Sequence, residues 1–188
     1  MNRLTVFMTD KRIHIKTISD AINDKKLENI NLIGSLTNNK NTYNYLHTNF
    51  RNYNNHFVEK NNDRQQFEYK ILEKLGENKP NILLLTGWKF IFGQNFINKF
   101  DKVINIHPAL PESYIGLNCI EKALIDNKNG RIKNTGVMIH YVTKNLDRGE
   151  VINYKDVPIY NNDNLEKLTN RFRKYEKNLI IESLNKIV

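Results

Sequence analysis

One run, Asn81-Ile82-Leu83-Leu84-Leu85-Thr86-Gly87, placed directly after Pro80, constrains this chain more than any other feature. A short apolar stretch bounded by turn residues reads as a strand buried on both faces. Such strands belong to largely parallel sheets covered by helices. The rest of the chain agrees. Strand-like runs lie at 4–8, 30–36, 56–59, 103–106, 136–142 and 151–158. Between them fall segments of helical spacing: 13–26, a short helix inside the Asn-rich stretch 38–55, 64–75 stopped by Gly76, 118–126, and 163–187. This alternation predicts an α/β domain, a largely parallel central sheet with helices on both faces.

Composition narrows the function. The chain has 188 residues, enough to bury a core as one domain spanning 1–188. No apolar run approaches the ~20 residues of a membrane helix, and residues 1–8 read as a first strand rather than a secretion leader. The lone Cys119 rules out an internal disulfide and a cysteine-based zinc cluster, so a reducing, cytoplasmic setting is expected. The net charge is +9. Its Lys and Arg residues are scattered rather than gathered into a stripe, so nucleic acid is not expected as the main partner, while anionic small molecules are compatible. No Gly-x-Gly-x-x-Gly follows the first strand, which excludes the usual dinucleotide loop. No Gly-x-Ser-x-Gly nucleophile turn is present, and the histidines are not spaced as metal ligands.

Ligands of open α/β sheets bind outside the carboxyl ends of the strands. That directs attention to Asn105-Ile106-His107-Pro108-Ala109-Leu110-Pro111, which closes a buried strand. Residues two apart on a strand share a side. Asn105 and His107 therefore present an amide donor beside a titratable imidazole, a pair suited to acyl transfer. A capping Asn and a loop His are the alternative. A second place is Asn145-Leu146-Asp147-Arg148-Gly149-Glu150, between two predicted strands. By local pattern it is a hairpin turn with a structural Asp147. His140, inside a predicted strand, reads as a packed or surface histidine.

The stretch VINIHPALPESYIGLNCIEKALIDNKNGRIKNTGVMIHYVTKNLDRGEVINYKDV, 103–157, resembles the phosphoribosylglycinamide formyltransferase family. The resemblance is strongest to the family's single-domain fungal form. It rests on paired signals in order, NIHPALP…G and then LDRGE after the TGVMIHYV strand. Weaker similarity extends into DRQQFEYKILEKLGENKPNILLLTGW and RFRKYEKN.

The resemblance implies a Rossmann-like formyltransferase fold and 10-formyltetrahydrofolate as formyl donor. The acceptor would be the amine of glycinamide ribonucleotide, and the chain a monomer or homodimer. It carries an oxyanion donor onto Asn105, a proton handler onto His107, and an orienting acid onto Asp147. It assigns the folate side to Arg64, Leu85, Trp88, Phe90, Ile91, Phe92, Val142, Thr143 and Lys144. The acceptor side falls to Ile106, Pro108 and Glu176, the last accepting from ribose hydroxyls. No metal is implied.

The family's glycine-rich phosphate loop is not matched. Its place reads Thr9-Asp10-Lys11-Arg12-Ile13-His14, where Lys11 and Arg12 are the candidate phosphate contacts. That departure keeps open another acceptor, such as a nucleotide-linked amino sugar, and an inactive homologue that only binds folate or a nucleotide.

Overall fold

The computed structural model describes residues 1–10, 14–77 and 79–188. The chain divides into two compact units, 1–105 with Val188, and 106–187.

The first unit alternates strands and helices. They are β1 (Asn2–Met8), α1 (His14–Asn23), β2 (Ile30–Thr37), α2 (Lys40–Asn49), β3 (Asn54–Phe57), α3 (Arg64–Leu75), β4 (Ile82–Thr86) and α4 (Gln94–Ile97). β5 (Lys102–His107) then runs into the second unit. The strands hydrogen-bond in the order β3-β2-β1-β4-β5. The pairs β1/β2, β1/β4 and β2/β3 are parallel. Every residue of β4 is buried, as its unbroken apolar run requires. The order reverses between β1 and β4. This makes their carboxyl ends, Met8 and Thr86, the switch point at which such sheets bind ligands.

The helices of this unit follow their apolar spacing. α1 buries Ile15, Ile18 and Ala21, while Lys16 and Asp20 pair at 2.7 Å on its wet side. α2 and α3 start where Asn39 and Asp63 accept main-chain N–H bonds, satisfying donors that the first turn leaves over. Several bounds depart from the sequence reading, among them α1, which ends at Asn23 rather than at 26. β3 begins two residues earlier, because its pairing with β2 fixes Asn54 against Gly34 and Phe57 against Thr37. The four-residue α4 is too short to carry a periodic signal.

The second unit contains α5 (Cys119–Lys128), β6 (Asn134–Tyr141), β7 (Val151–Pro158) and α6 (Leu165–Ile187). β6 and β7 are antiparallel, with a register shift between Ile139 and His140. α6 packs on β6, β7 and α5. Its buried stripe includes Leu168, Phe172, Leu179, Ile180 and Leu184, at the helical period. Before the helix, buried Asp163 accepts from Arg171 and from the Tyr160 N–H. The Arg171 bond, outweighing burial, holds the Asp163 carboxyl below its usual range.

Candidate functional site

The chemistry-bearing side chains of the second unit gather around one carboxylate. β5 ends at His107, which is 4% exposed. Its Nε2 lies 2.8 Å from the Tyr114 carbonyl oxygen. A carbonyl only accepts, so Nε2 carries a hydrogen, and Nδ1 is the nitrogen left to exchange a proton. Nδ1 faces Asp147 Oδ2 at 3.5 Å. On the other side of the carboxylate, His140 Nε2 lies 3.6 Å from Oδ1. His140 donates through Nδ1 to the Tyr141 carbonyl at 2.9 Å. Each imidazole thus commits one N–H to the main chain and turns its other nitrogen to Asp147.

The loop 142–150 between β6 and β7 brings Asp147 there. Asp147 has φ +51°, a left-handed conformation that Asp tolerates better than most residues. Gly116 has φ +77° and donates its N–H to Asp147 Oδ2 at 2.9 Å. Gly149 lets the loop close: an ideal Cβ there would stand 1.7 Å from the Tyr141 carbonyl oxygen. The register shift beside His140 is the kind of irregularity that re-aims a strand side chain. Cys119 donates to the Gly116 carbonyl at 3.1 Å, and its Sγ lies 3.6 Å from His107 Nε2. Burial pushes its thiol up, so it stays protonated.

The electrostatics suit proton handling. Burial lowers the His107 pKa below the usual 6.5, with the Asp147 charge pulling the other way. Burial would raise the Asp147 carboxyl. The His140 hydrogen bond, the His107 charge and the Gly116 N–H outweigh it and hold the group below 3.8. At neutral pH the pair is a neutral imidazole beside a carboxylate, and that carboxylate stabilises the imidazolium once His107 takes a proton.

The first unit carries the predicted donor-side residues. Leu85 is buried in β4. Trp88 and Phe90 are half-buried, Ile91 is 53% exposed, and Phe92 is 3% exposed. Trp88 stacks near-parallel on Phe67 with centroids 6.1 Å apart, and Phe92 stacks on Phe96 at 4.2 Å. Phe92 is therefore largely a packing residue, whereas Phe90 and Ile91 present surface. A cavity of about 290 Å³ is lined by Arg64, Phe67, Glu68, Phe90, Ile91 and Phe92, with Lys60 above the Phe90 ring at 5.5 Å.

The remaining predicted positions divide. Asn105 is half-buried on β5, two residues before His107. Ile106 is buried and Pro108 half-buried. Val142 and Thr143 are half-buried and Lys144 is exposed, all in the loop that carries Asp147. Glu176 is 1% exposed, so it is not the solvated residue usual on a terminal helix. Lys11 and Arg12 lie outside the described residues. Among the described residues, no group of three or more His, Cys, Asp and Glu is placed to hold a metal ion.

Sequence reasoning read His140 only as a packed or surface histidine and Cys119 only as a lone thiol, and gave Gly116 and Glu68 no role in a site. One signal was available: a histidine inside an apolar strand needs a buried polar partner. Gly116 closes the NIHPALP…G motif and Glu68 follows Arg64 at i,i+4, but their contacts to Asp147 and Gly93 span 31 and 25 residues and no local pattern shows them.

Comparison with known proteins is consistent across the chain. The sequence pattern of the formyl transferase family matches residues 2–184. Phosphoribosylglycinamide formyltransferase of Dictyostelium discoideum is 37% identical over 131 residues, covering 66% of this chain and 64% of that protein. That of Schizosaccharomyces pombe is 29% identical over 130 residues, covering 66% and 62%. The matched stretch thus spans less than two thirds of these relatives' length. A crystal structure of phosphoribosylglycinamide formyltransferase from Bacillus halodurans aligns with TM-score 0.87 at 23% identity, over 98% of this chain and 94% of that one. The Coxiella burnetii protein of the same name, in complex with CHES, aligns with TM-score 0.83 at 26% identity, over 97% and 85%. The α/β fold is shared with these structures.

Proposed function

Since this chain belongs to the formyl transferase family, we propose that it transfers a formyl group from 10-formyltetrahydrofolate to the amine of glycinamide ribonucleotide. The observation that carries the proposal is the buried His107–Asp147 pair, set by β5 and the 142–150 loop. The family match over 2–184 supports treating the chain as one formyltransferase domain. Among the described residues no helix is long and apolar enough to cross a membrane. A cytoplasmic site of action, as a monomer or homodimer, is part of the same reading.

The donor-side residues suit such a ligand. The cavity joins aromatic walls, Phe67 and Phe90, to the Arg64 guanidinium, and 10-formyltetrahydrofolate is an aromatic molecule ending in carboxylates. When bound, it supplies the formyl group. This chain's residues do the rest. Arg64, Leu85, Trp88, Phe90, Ile91 and Phe92 hold the donor, with Val142, Thr143 and Lys144 on the loop side. Asn105 donates an amide N–H to the oxygen that gains negative charge, a contribution of about 3 kcal/mol at such sites. His107 moves the proton leaving the amine. Asp147 orients His107 and stabilises its charged form. On the acceptor side Glu176 accepts from ribose hydroxyls, Ile106 and Pro108 shape the wall, and Lys11 and Arg12 meet the phosphate.

The test mixes the purified chain with 10-formyltetrahydrofolate, with and without glycinamide ribonucleotide, and follows deformylated folate and acceptor mass. A formylated ribonucleotide, lost in His107→Ala and Asp147→Asn, supports the assignment. An unchanged ribonucleotide rejects it. One observation favours a second reading: the glycine-free segment Thr9-Asp10-Lys11-Arg12 favours a different acceptor amine, such as a nucleotide-linked amino sugar. The same assay, run with that amine, decides between the two.

A further inference from the structure

Glu68 is a buried carboxylate in the first unit for which the proposed chemistry has no use. It is 9% exposed, and carboxylates are seldom buried that deeply without a task for their charge. Its position is set by α3. Asp63 caps the helix, Arg64 opens it, and Glu68 follows four residues later on the same side. Phe67 beside it turns into the aromatic cluster, with its ring 5.0 Å from Phe90 and 6.1 Å from Trp88.

Two contacts define what Glu68 does. Its Oε1 accepts the Gly93 N–H at 2.6 Å, short enough for a charge-assisted bond. The same oxygen lies 3.9 Å from Arg64 Nε, long for a hydrogen bond but within ion-pair range. An ideal Cβ on Gly93 would sit 3.4 Å from Oε1 and 3.7 Å from Arg64 Cζ, so all three groups meet at one point. That point lies on the wall of the Arg64–Phe90 cavity. The segment 87–93, which supplies Phe90 and Ile91 to the cavity, is thereby tied at its far end to the helix that supplies Arg64.

We propose that Glu68 is a positioning residue for the formyl donor. Its carboxylate pins Gly93 and steers the Arg64 guanidinium, which remains 62% exposed and able to meet a ligand carboxylate. This rests on the reading of the cavity as the donor side. It assigns Glu68 no part in the chemical step. A bond of this class, once broken, leaves both the Gly93 N–H and the guanidinium without their anchor, and an effect of about tenfold on donor affinity is expected.

The two contacts separate by substitution. Glu68→Gln keeps an oxygen for the Gly93 N–H but removes the charge facing Arg64. Glu68→Ala removes both. Calorimetric titration with 5-formyltetrahydrofolate, a stable folate, measures affinity without turnover. Steady-state assays with 10-formyltetrahydrofolate add the division between KM and kcat. The expected result is about tenfold weaker folate binding and a matching rise in donor KM for Glu68→Ala. The acceptor KM and kcat should stay within about twofold, and Glu68→Gln should recover part of the affinity. In an Arg64→Ala background the Gln substitution should have no effect, while Ala should retain one. If the native chain binds the folate and Glu68→Ala binds it equally well, the inference is overturned and the function stands. A fall in kcat with unchanged donor KM also overturns it. If the native chain does not bind the folate, the donor assignment and the inference fail together.

Discussion

Asp147 sits between two imidazoles that each spend a hydrogen on a main-chain carbonyl, and its carboxylate faces the other nitrogen of both. Replacing it with Asn keeps the shape but removes the anion that stabilises a protonated His107. On the proposed function, formyl transfer by Asp147→Asn should fall by roughly a hundredfold or more, measured at a temperature where the variant is folded. A variant retaining a tenth of native kcat would remove Asp147 from the mechanism. Gly149 makes a different prediction at the same scale. A methyl group cannot fit 1.7 Å from the Tyr141 oxygen. Gly149→Ala should therefore displace the loop, lower stability by about 2 kcal/mol or more, and lose activity together with Asp147→Asn. Denaturant unfolding checks the first part, and turnover at a temperature where the variant is folded checks the second.

At the scale of elements, α6 illustrates how a helix that supplies a candidate binding residue is held. Phe172 is 1% exposed and lies one turn before Glu176. Phe172→Ala should cost about 3–5 kcal/mol, read by urea unfolding, because the packed helix face cannot collapse into the space left. A loss below 1 kcal/mol would show a face that repacks. From within α6, Arg171 reaches back to both Asp163 and the Pro158 carbonyl ahead of the helix. The extent of α3 was legible in the chain, since its apolar positions Phe67, Ile71 and Leu75 keep the helical period up to the stop at Gly76. The bounds of β3 were not, because its pairing with β2 sets them, and α4 was not, because four residues carry no periodic signal.

For the molecule as a whole, proton uptake links the site to stability. The native His107 pKa lies below the unfolded 6.5, chiefly through burial, and His56 is lowered in the same way. Below 6.5 the unfolded chain therefore binds protons that the native chain refuses. The stability from these groups is fully present above that pH and is lost as pH falls toward the native values. Asp147, lowered from 3.8, adds a second loss as pH falls below 3.8. Thermal midpoints measured from about pH 7.5 to pH 5 should fall in the native chain and fall less in His107→Asn. Equal slopes in both would show that His107 ionises alike folded and unfolded.

Sequence by itself determined the α/β class, the order of the long elements and the candidate residues Asn105, His107 and Asp147. Each of these is written locally, in an apolar period or in a motif that survives in the chain. Tertiary structure alone decided that His140 shares the Asp147 carboxylate, that Gly116 turns its N–H toward it, and that Glu68 reaches Gly93. It also decided that Phe92 packs inward while Ile91 faces out, although the two are neighbours of similar hydrophobicity. The three polar contacts depend on where the folded backbone brings donors and acceptors from separate stretches of chain. The difference between Phe92 and Ile91 depends on the neighbours that backbone packs against each, Phe96 in the case of Phe92.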